Sequence, residues 1–415
     1  MMRGGRVAVV GGSIAGCAAA LAAHRGGAAE ITVYERAAER LADRGVGLAV
    51  HNSRYAELDS AGYLDADMPW VQLERRRWYV RGGSAAGPLG QEIGAMPFAF
   101  RTYNWGPLWR ELRGRVPASV SFRAGVAVDE VRTGAAGAGD PAGAEVVTAD
   151  GTERFDLVIG ADGYRSVVRA GVFAGVRPAY AGYLAWRGAF PADRLPDPGL
   201  WAQEDCAYVV FPGGHVIVYR IPDGVGGHRV NWVLYTAPPP GLDLGLGLDL
   251  RLTAPTSLPP GGLTQALASH LTYVCDELLP PYWGDLIRTT TPAELFLQPM
   301  YDYTAPRYTK GRVLLTGDAA TVARPHTGAG AVKALQDATV LESAFATATT
   351  WADALDTYDT DRSVAGAAMV DLGRRLGHAL VEETPAWHTM DQTALETWWK
   401  QADGGGAFGG RELRR

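Results

Sequence analysis

Arg6-Val7-Ala8-Val9-Val10-Gly11-Gly12-Ser13-Ile14-Ala15-Gly16-Cys17 is the stretch on which the reading of this chain turns. Val7–Val10 is a short apolar run, as in a strand buried on both faces. Ala15–Arg25 is alanine-rich and predicts a helix, and Ile31–Tyr34 predicts a second buried strand. Strand, glycine turn, helix and strand make one βαβ unit. Gly11, Gly12 and Gly16 let the turn stay tight and let backbone approach a pyrophosphate, with Ser13 where a further glycine is usual. The helix start offers amide donors and a positive dipole end to that anion. Glu35, nineteen residues after Gly16 and followed by Arg36, ends the second strand, where an acidic side chain accepts from a ribose hydroxyl.

Two later stretches share one design. Asp156-Leu157-Val158-Ile159-Gly160-Ala161-Asp162-Gly163 runs on through Tyr164-Arg165-Ser166 to Arg169. Gly311-Arg312-Val313-Leu314-Leu315-Thr316-Gly317-Asp318 runs on through Arg324-Pro325-His326-Thr327-Gly328-Ala329-Gly330 into a helical pattern over 331–347. Each is a buried strand ending on a glycine beside an aspartate. At the carboxyl edge of a parallel sheet such an aspartate faces the ligand crevice. Exposed amides at the start of the last helix can stabilise negative charge on a ligand.

In this order the three motifs resemble those of the FAD-dependent aromatic hydroxylases, the group A flavoprotein monooxygenases of the p-hydroxybenzoate hydroxylase type. The likeness spans roughly Val7 to Ala338. Tyr180-Ala181-Gly182-Tyr183-Leu184-Ala185-Trp186-Arg187-Gly188 and Arg324-Pro325-His326 resemble the branch of the dihydroxypyridine and hydroxynicotinate hydroxylases. The resemblance implies an α/β fold: a Rossmann-like FAD-binding domain, an inserted β-sheet substrate domain and C-terminal helices. Gly11, Gly12, Ser13 and Gly16 would cradle the FAD pyrophosphate, with Glu35 and Arg36 at the adenosine end. Arg44 matches the family's arginine near the flavin, and Asp162 and Gly163 match a motif linked to FAD and nicotinamide binding. Asp318 would contact the ribityl chain or pyrophosphate, and amides around Pro325, Gly328, Ala329 and Gly330 would face the pyrimidine edge of the flavin. In the family reaction NADH or NADPH reduces the flavin and O2 adds to give a C4a-hydroperoxide. An electron-rich phenol, hydroxypyridine or natural-product aromatic then attacks the distal oxygen. Epoxidation, oxidative rearrangement of an indole, or binding without turnover are the alternatives. A halogenase would carry a W-x-W-x-I-P segment, which this chain lacks.

A base that takes a ring-hydroxyl proton makes the ring more nucleophilic. His215, Tyr219 and His326 are the candidate catalytic residues. His215 and Tyr219 lie four apart on one strand and so share a face. His51, Cys206, His215, Tyr219 and Arg220 are candidate substrate contacts, against ordinary packing for Cys206 and a solvated edge for Arg220. Replacing His215 by Ala is expected to uncouple NAD(P)H oxidation from hydroxylation. Trp186 and Trp232 either stack on the substrate or pack in the core, and Trp398-Trp399 packs a helix or a dimer contact. No histidine pair has metal-ligand spacing.

The motifs divide the chain into an FAD-binding domain of 1–73, 98–178 and 306–345, and a β-rich substrate domain of 74–97 and 179–305. A helical segment covers 346–402, and the glycine-rich 403–415 reads as a disordered tail. Ala124–Arg132 reads as one strand, and Pro238–Gly262, rich in Pro, Gly and Leu, as a surface loop. Glycine, 53 of 415 residues, is well above the usual share of roughly 7%. Lysine occurs only at Lys310, Lys333 and Lys400, so arginine carries most of the positive charge. A net charge of −6 without a basic run argues against nucleic-acid and anionic-membrane partners. Three distant cysteines exclude a disulfide scaffold and suit a reducing compartment. A cytoplasmic monomer or homodimer acting on a small molecule is the expectation.

Overall fold

The computed structural model describes residues 4–38, 47–83, 86–134, 143–239 and 257–410. Arg6–Val10 sits near the centre of a six-stranded sheet, flanked by Glu30–Glu35 and Leu157–Gly160, both parallel to it. Val313–Leu315 extends the sheet on one side and Ser121–Ala124 on the other. All three motif strands therefore lie side by side, with their carboxyl ends on one edge. The helix Ile14–Arg25 buries residues 14–23 between neighbours, which alanine permits because it adds no bulk.

The second sheet has nine strands. Ala179–Pro191, Asp205–Phe211, Gly214–Pro222, His228–Thr236 and Leu295–Thr304 form its centre, joined by Val71–Val80, Gln91–Asn104 and Gly47–His51. Gly47–His51 and the end of Gln91–Asn104 thus pair into this sheet, whereas the motifs assign 1–73 and 98–178 to the dinucleotide unit. Hydrophobic pattern identifies a strand but not its pairing partner.

Strand alternation gives this sheet two different faces. On one, Trp186, Leu234, Val218, Trp232 and Val209 pack against Trp283, Leu286 and Leu267 of the helices Pro281–Arg288 and Gln265–Tyr273. On the other lie Tyr183, Val233, Tyr235, Tyr208 and Cys206, which face Leu372, Leu376 and Leu380 of the C-terminal helical segment. Trp186 and Trp232 belong to the first face, so both are core residues; Trp232 Nε1 donates to Thr290 Oγ1 at 2.7 Å. Trp398 and Trp399 pack a helix, against Trp78 and Phe408.

Three expectations change in the structure. Ala124–Arg132 is two strands in different sheets, because Gly125 takes φ 80° and turns the chain. Of Pro238–Gly262, residues 240–256 lie outside the described residues, and Leu258 bridges Leu297. The segment 403–410 is no loose tail: Asp403 Oδ1 accepts from the Phe408 amide at 2.7 Å and the Phe408 ring is buried. Residues 411–415 lie outside the described residues. Among the described residues, no helix is long and apolar enough to cross a membrane.

Candidate active site

Two cavities open at the carboxyl ends of the parallel strands. One, of about 520 Å³, is lined by Gly11, Ser13, Glu35, Arg36, Asp162, Gly163 and neighbours. The other, of about 490 Å³, runs from Ser13 past Asp318 and the loop 325–330 to the second face of the large sheet. Ser13, Ala161, Gly163 and Tyr164 line both, which makes one continuous trough. The motif residues of the three strands are thus brought together; Arg44 lies outside the described residues.

The trough suits a dinucleotide. Gly11 has φ 102°, and a Cβ on it would lie 2.5 Å from the Ala161 carbonyl oxygen. A Cβ on Gly16 would lie 1.8 Å from the Gly11 carbonyl oxygen. Neither position tolerates a side chain. Ser13 occupies the N-cap position of Ile14–Arg25 without a side-chain cap, which leaves the first-turn amides for an anion. Gly12 lines neither cavity. Its amide donates to Glu35 Oε2 at 2.8 Å and its carbonyl accepts from Trp109 Nε1 at 2.8 Å, so it locks the turn.

Glu35 has two duties. Its Oε1 also accepts from the Ala37 amide at 2.8 Å, while the side chain reaches the cavity wall. Glu35→Ala is expected to weaken FAD binding by roughly ten- to a hundredfold, because an acceptor and the turn geometry go together. Glu35→Gln, which keeps an acceptor, should lose less. Titration of apoprotein with FAD measures both; unchanged affinity in the alanine variant refutes the role.

Asp162 Oδ2 accepts from the Val167 and Val168 amides at 2.7 and 3.3 Å, which ties it to the next helix. Its Oδ1 is buried without a partner, at the wall of the first cavity. Burial raises its pKa, against the opposing hydrogen bond of Ser166. Asp318 is exposed toward the second cavity; desolvation by the protein packed around it raises its pKa and Lys333 lowers it. Arg169 joins the two aspartate loops, donating to the carbonyls of Tyr164 at 2.6 Å and Ala319 at 3.0 Å. Beneath Gly317, Asp337 accepts from its amide at 2.8 Å, from Lys333 Nζ at 2.7 Å and from Arg362 Nε at 2.6 Å.

The sheet end of the trough is aromatic, with Phe98, Phe100, Tyr208, Tyr219, Tyr235 and Phe408 on its wall. Of the candidate substrate contacts, Tyr219 and Cys206 line it. Burial raises the pKa of both, so at neutral pH Tyr219 donates as a phenol and Cys206 is an inert thiol. His326 also lines it; its Nε2 is 2.7 Å from the Tyr183 hydroxyl and its Nδ1 has no hydrogen-bond partner among the described residues. Burial holds its pKa well below the usual value, helped by His215, Arg324 and Arg187.

His215, His51 and Arg220 do not line the cavity. His215 does share the cavity face with Tyr219, but it is fully buried behind Tyr235, with Nδ1 3.2 Å from the Leu380 carbonyl. The expected uncoupling role of His215 therefore gives way to packing. His51 precedes the helix Asn52–Ser60 and caps it, Nδ1 accepting from the Ser53 amide at 3.2 Å. Arg220 falls on the opposite sheet face, donates to the carbonyls of Ala202 and Trp201 at 2.8 and 3.2 Å, and stacks on Trp201.

His215 carries a measurable consequence. Burial depresses its pKa from 6.5 to about 3. The unfolded chain takes up the proton as pH falls below 6.5, and the native chain does so only near 3. Stability is therefore complete above 6.5 and lost as pH falls through that window, by up to about 1.4 kcal/mol per unit. Unfolding free energies from urea titrations at pH 7 and pH 5 should differ by roughly 2 kcal/mol more in the wild type than in His215→Gln. Equal differences would exclude this origin.

Arg187 belongs to the site although the motif that contains it assigns it no task. It lines the cavity, makes no hydrogen bond or ion pair among the described residues, and its Nε is buried without a partner. Its charge acts on Tyr219, Tyr235 and His326. A lone cation in an otherwise apolar strand is the signal the sequence offers for it.

A family model described as an FAD binding domain matches residues 274–373, and one described as FAD binding domain-like matches 180–302. The 2,6-dihydroxypyridine 3-monooxygenase of Paenarthrobacter nicotinovorans is 30% identical over 392 residues, 90% of this chain and 91% of its own. The 3-amino-4-hydroxybenzoate 2-monooxygenase of Streptomyces cremeus is 31% identical over 351 residues, 81% and 77%. The solved structure of 2,6-dihydroxypyridine-3-hydroxylase from Arthrobacter nicotinovorans superposes with a TM-score of 0.77 at 27% identity, over 92% of this chain and 94% of that one. The chain belongs to the FAD-dependent aromatic hydroxylases, the group A flavoprotein monooxygenases. Its reaction class is FAD-dependent hydroxylation of an aromatic ring.

Proposed function

We propose that this enzyme hydroxylates a hydroxylated arene or heteroarene bound as its ring-oxygen anion, with Arg187 as the counter-charge. The observation that carries this is Arg187 itself, a cation on the cavity wall with no carboxylate partner among the described residues. Arg187 is half-buried with its Nε enclosed, and a guanidinium without a counter-ion on a cavity wall attracts an anionic ligand. Both histidines near the cavity are held neutral at low pKa and are weak bases. Stabilising the ionised ring replaces strong base catalysis: the cation lowers the ring hydroxyl's own pKa, and the anion is the better nucleophile. Tyr219 donates a hydrogen bond to the same kind of oxygen.

FAD, when bound, supplies the redox chemistry that activates O2, with NADH or NADPH as the electron source. Gly11, Ser13, Glu35, Arg36, Asp162 and Gly163 would hold its dinucleotide part, with Gly16 packed against the Gly11 carbonyl behind them, and Asp318 and the amides of 328–330 would hold the flavin side. The substrates named for the relatives, a dihydroxypyridine and an aminohydroxybenzoate, are both rings with an ionisable hydroxyl and set the first panel.

The test is a screen of purified holoenzyme for ring-stimulated NADH or NADPH oxidation, with product mass and hydrogen peroxide measured together. One added oxygen in the product, with oxidation exceeding peroxide, is the expected result. Protein that takes up no FAD, or whose substrates all lack an ionisable ring group, overturns the proposal.

A further inference from the structure

We propose that Phe408 is a specificity-determining residue that sets how large a ring the cavity admits, and that the glycine-rich segment Gly404–Gly410 exists to deliver it. The inference rests on the assignment of the sheet end of the trough as the ring site. Phe408 lines that end although it lies beyond the last long helix, Gln392–Asp403. Its ring meets Phe98 at 6.0 Å, Phe100 at 5.5 Å and Trp399 at 5.2 Å between centroids. It also stands beside the loop 325–330: a Cβ on Gly328, were there one, would lie 3.5 Å from Phe408 Cζ. One side chain therefore closes the seam between the loop that holds the flavin and the aromatic wall of the sheet.

The backbone is shaped for this. Gly404, Gly405, Gly406, Gly409 and Gly410 all have positive φ, from 68° to 113°. Such a path folds the chain back sharply, and only glycine follows it without strain. Asp403 then pins the turn by accepting from the Phe408 amide at 2.7 Å. Behind Phe408 lies Arg76, fully enclosed, its guanidinium carbon 3.7 Å from the Trp399 centroid and 5.3 Å from that of Phe408. Phe408, with Phe98 and Tyr208, stands between this buried cation and the cavity, and shortening it should extend the cavity toward Arg76.

The experiment measures equilibrium binding of phenol and of 1-naphthol to FAD-loaded wild type, Phe408→Ala, Phe408→Leu and Phe408→Trp, read as the change in flavin absorbance without reductant. The affinity ratio of naphthol to phenol should rise roughly tenfold in Phe408→Ala, rise less in Phe408→Leu, and fall in Phe408→Trp. Phe408→Leu keeps an apolar plug, so it reports even where the alanine variant folds poorly. A ratio that stays constant across the folded variants overturns the role of Phe408 and leaves the enzyme class intact. FAD-loaded wild type that binds neither ring overturns the ring-site assignment, and this inference with it.

Discussion

Arg187→Met is expected to lower kcat/KM for the ring substrate by roughly ten- to a hundredfold, the cost of a lost charge-assisted hydrogen bond. Methionine keeps much of the length and apolar stem of arginine, so the change removes charge more than volume. Two further readouts separate binding of an anion from mere packing. In the wild type the guanidinium lowers the pKa of the bound ring hydroxyl, so ionisation is complete at lower pH. Without it, the rising limb of the activity profile should move to higher pH, toward the free substrate's own ionisation. Hydrogen peroxide should also take a larger share of the NAD(P)H consumed, because a neutral ring is a poorer nucleophile. Thermal stability should not fall, since Arg187 makes no hydrogen bond or ion pair among the described residues and methionine keeps its apolar stem. Unchanged kcat/KM with an unchanged pH profile would falsify the counter-charge role.

Asp337→Ala is expected to cost about 3–5 kcal/mol of stability, the penalty for stranding buried charges. Asp337 is completely buried, and both cations that face it, Lys333 and Arg362, are buried as well. They outweigh burial and hold its carboxyl below the ordinary value, while Asp337 raises the pKa of each. The network therefore stays ionised through the neutral range, and its contribution is lost only as pH falls through the lowered carboxylate pKa. Because Asp337 also accepts from the Gly317 amide, the turn that presents Asp318 loosens and FAD affinity should drop with stability. Asp337→Asn keeps that acceptor but not the charge and should fall in between. Replacing all three by apolar residues, Lys333→Met with Asp337→Leu and Arg362→Met, should recover much of the loss. Urea unfolding of the three forms checks this. An alanine variant as stable as the wild type would show that the charges find other partners.

Asp337 and Arg187 act at different levels of the molecule. The Asp337 network supports a motif that is legible in the sequence: strand Val313–Leu315, then Gly317 and Asp318. Of its supporters, the Lys333–Asp337 pair follows from i,i+4 spacing on one helix, but Arg362 is not legible, because it comes from the next helix and meets Asp337 only through helix packing. Arg187 stands in plain view in the motif that ends at Gly188, yet nothing local marks it as the cavity cation in preference to Arg220.

Those two arginines mark the limit of what local pattern can decide. Both stand on central strands of one sheet, and both are cations among apolar neighbours. Alternation correctly puts His215 and Tyr219 on a common face. It does not say which face the helices at 265–288 will cover and which will meet the flavin loop. Once those helices take the Trp186 face, Arg187 is left toward the cavity and Arg220 is committed to the carbonyls of Trp201 and Ala202. His215 is sealed off in the same way by Leu380, 165 residues later in the chain.

What the sequence by itself determined is the cofactor half of this enzyme. Its three glycine-and-aspartate turns are contiguous, and a turn's conformation follows from the residues within it. That is why the motifs alone assign Gly11, Ser13, Asp162 and Asp318 to the trough, where the fold brings them together with Gly16 packed against the Gly11 carbonyl. Only the tertiary structure decided the lining of the aromatic end of the trough: Arg187 and Phe408 on its wall, Arg220 and His215 off it. These outcomes depend on which surface covers which, and burial between distant segments is not written in the spacing of either one.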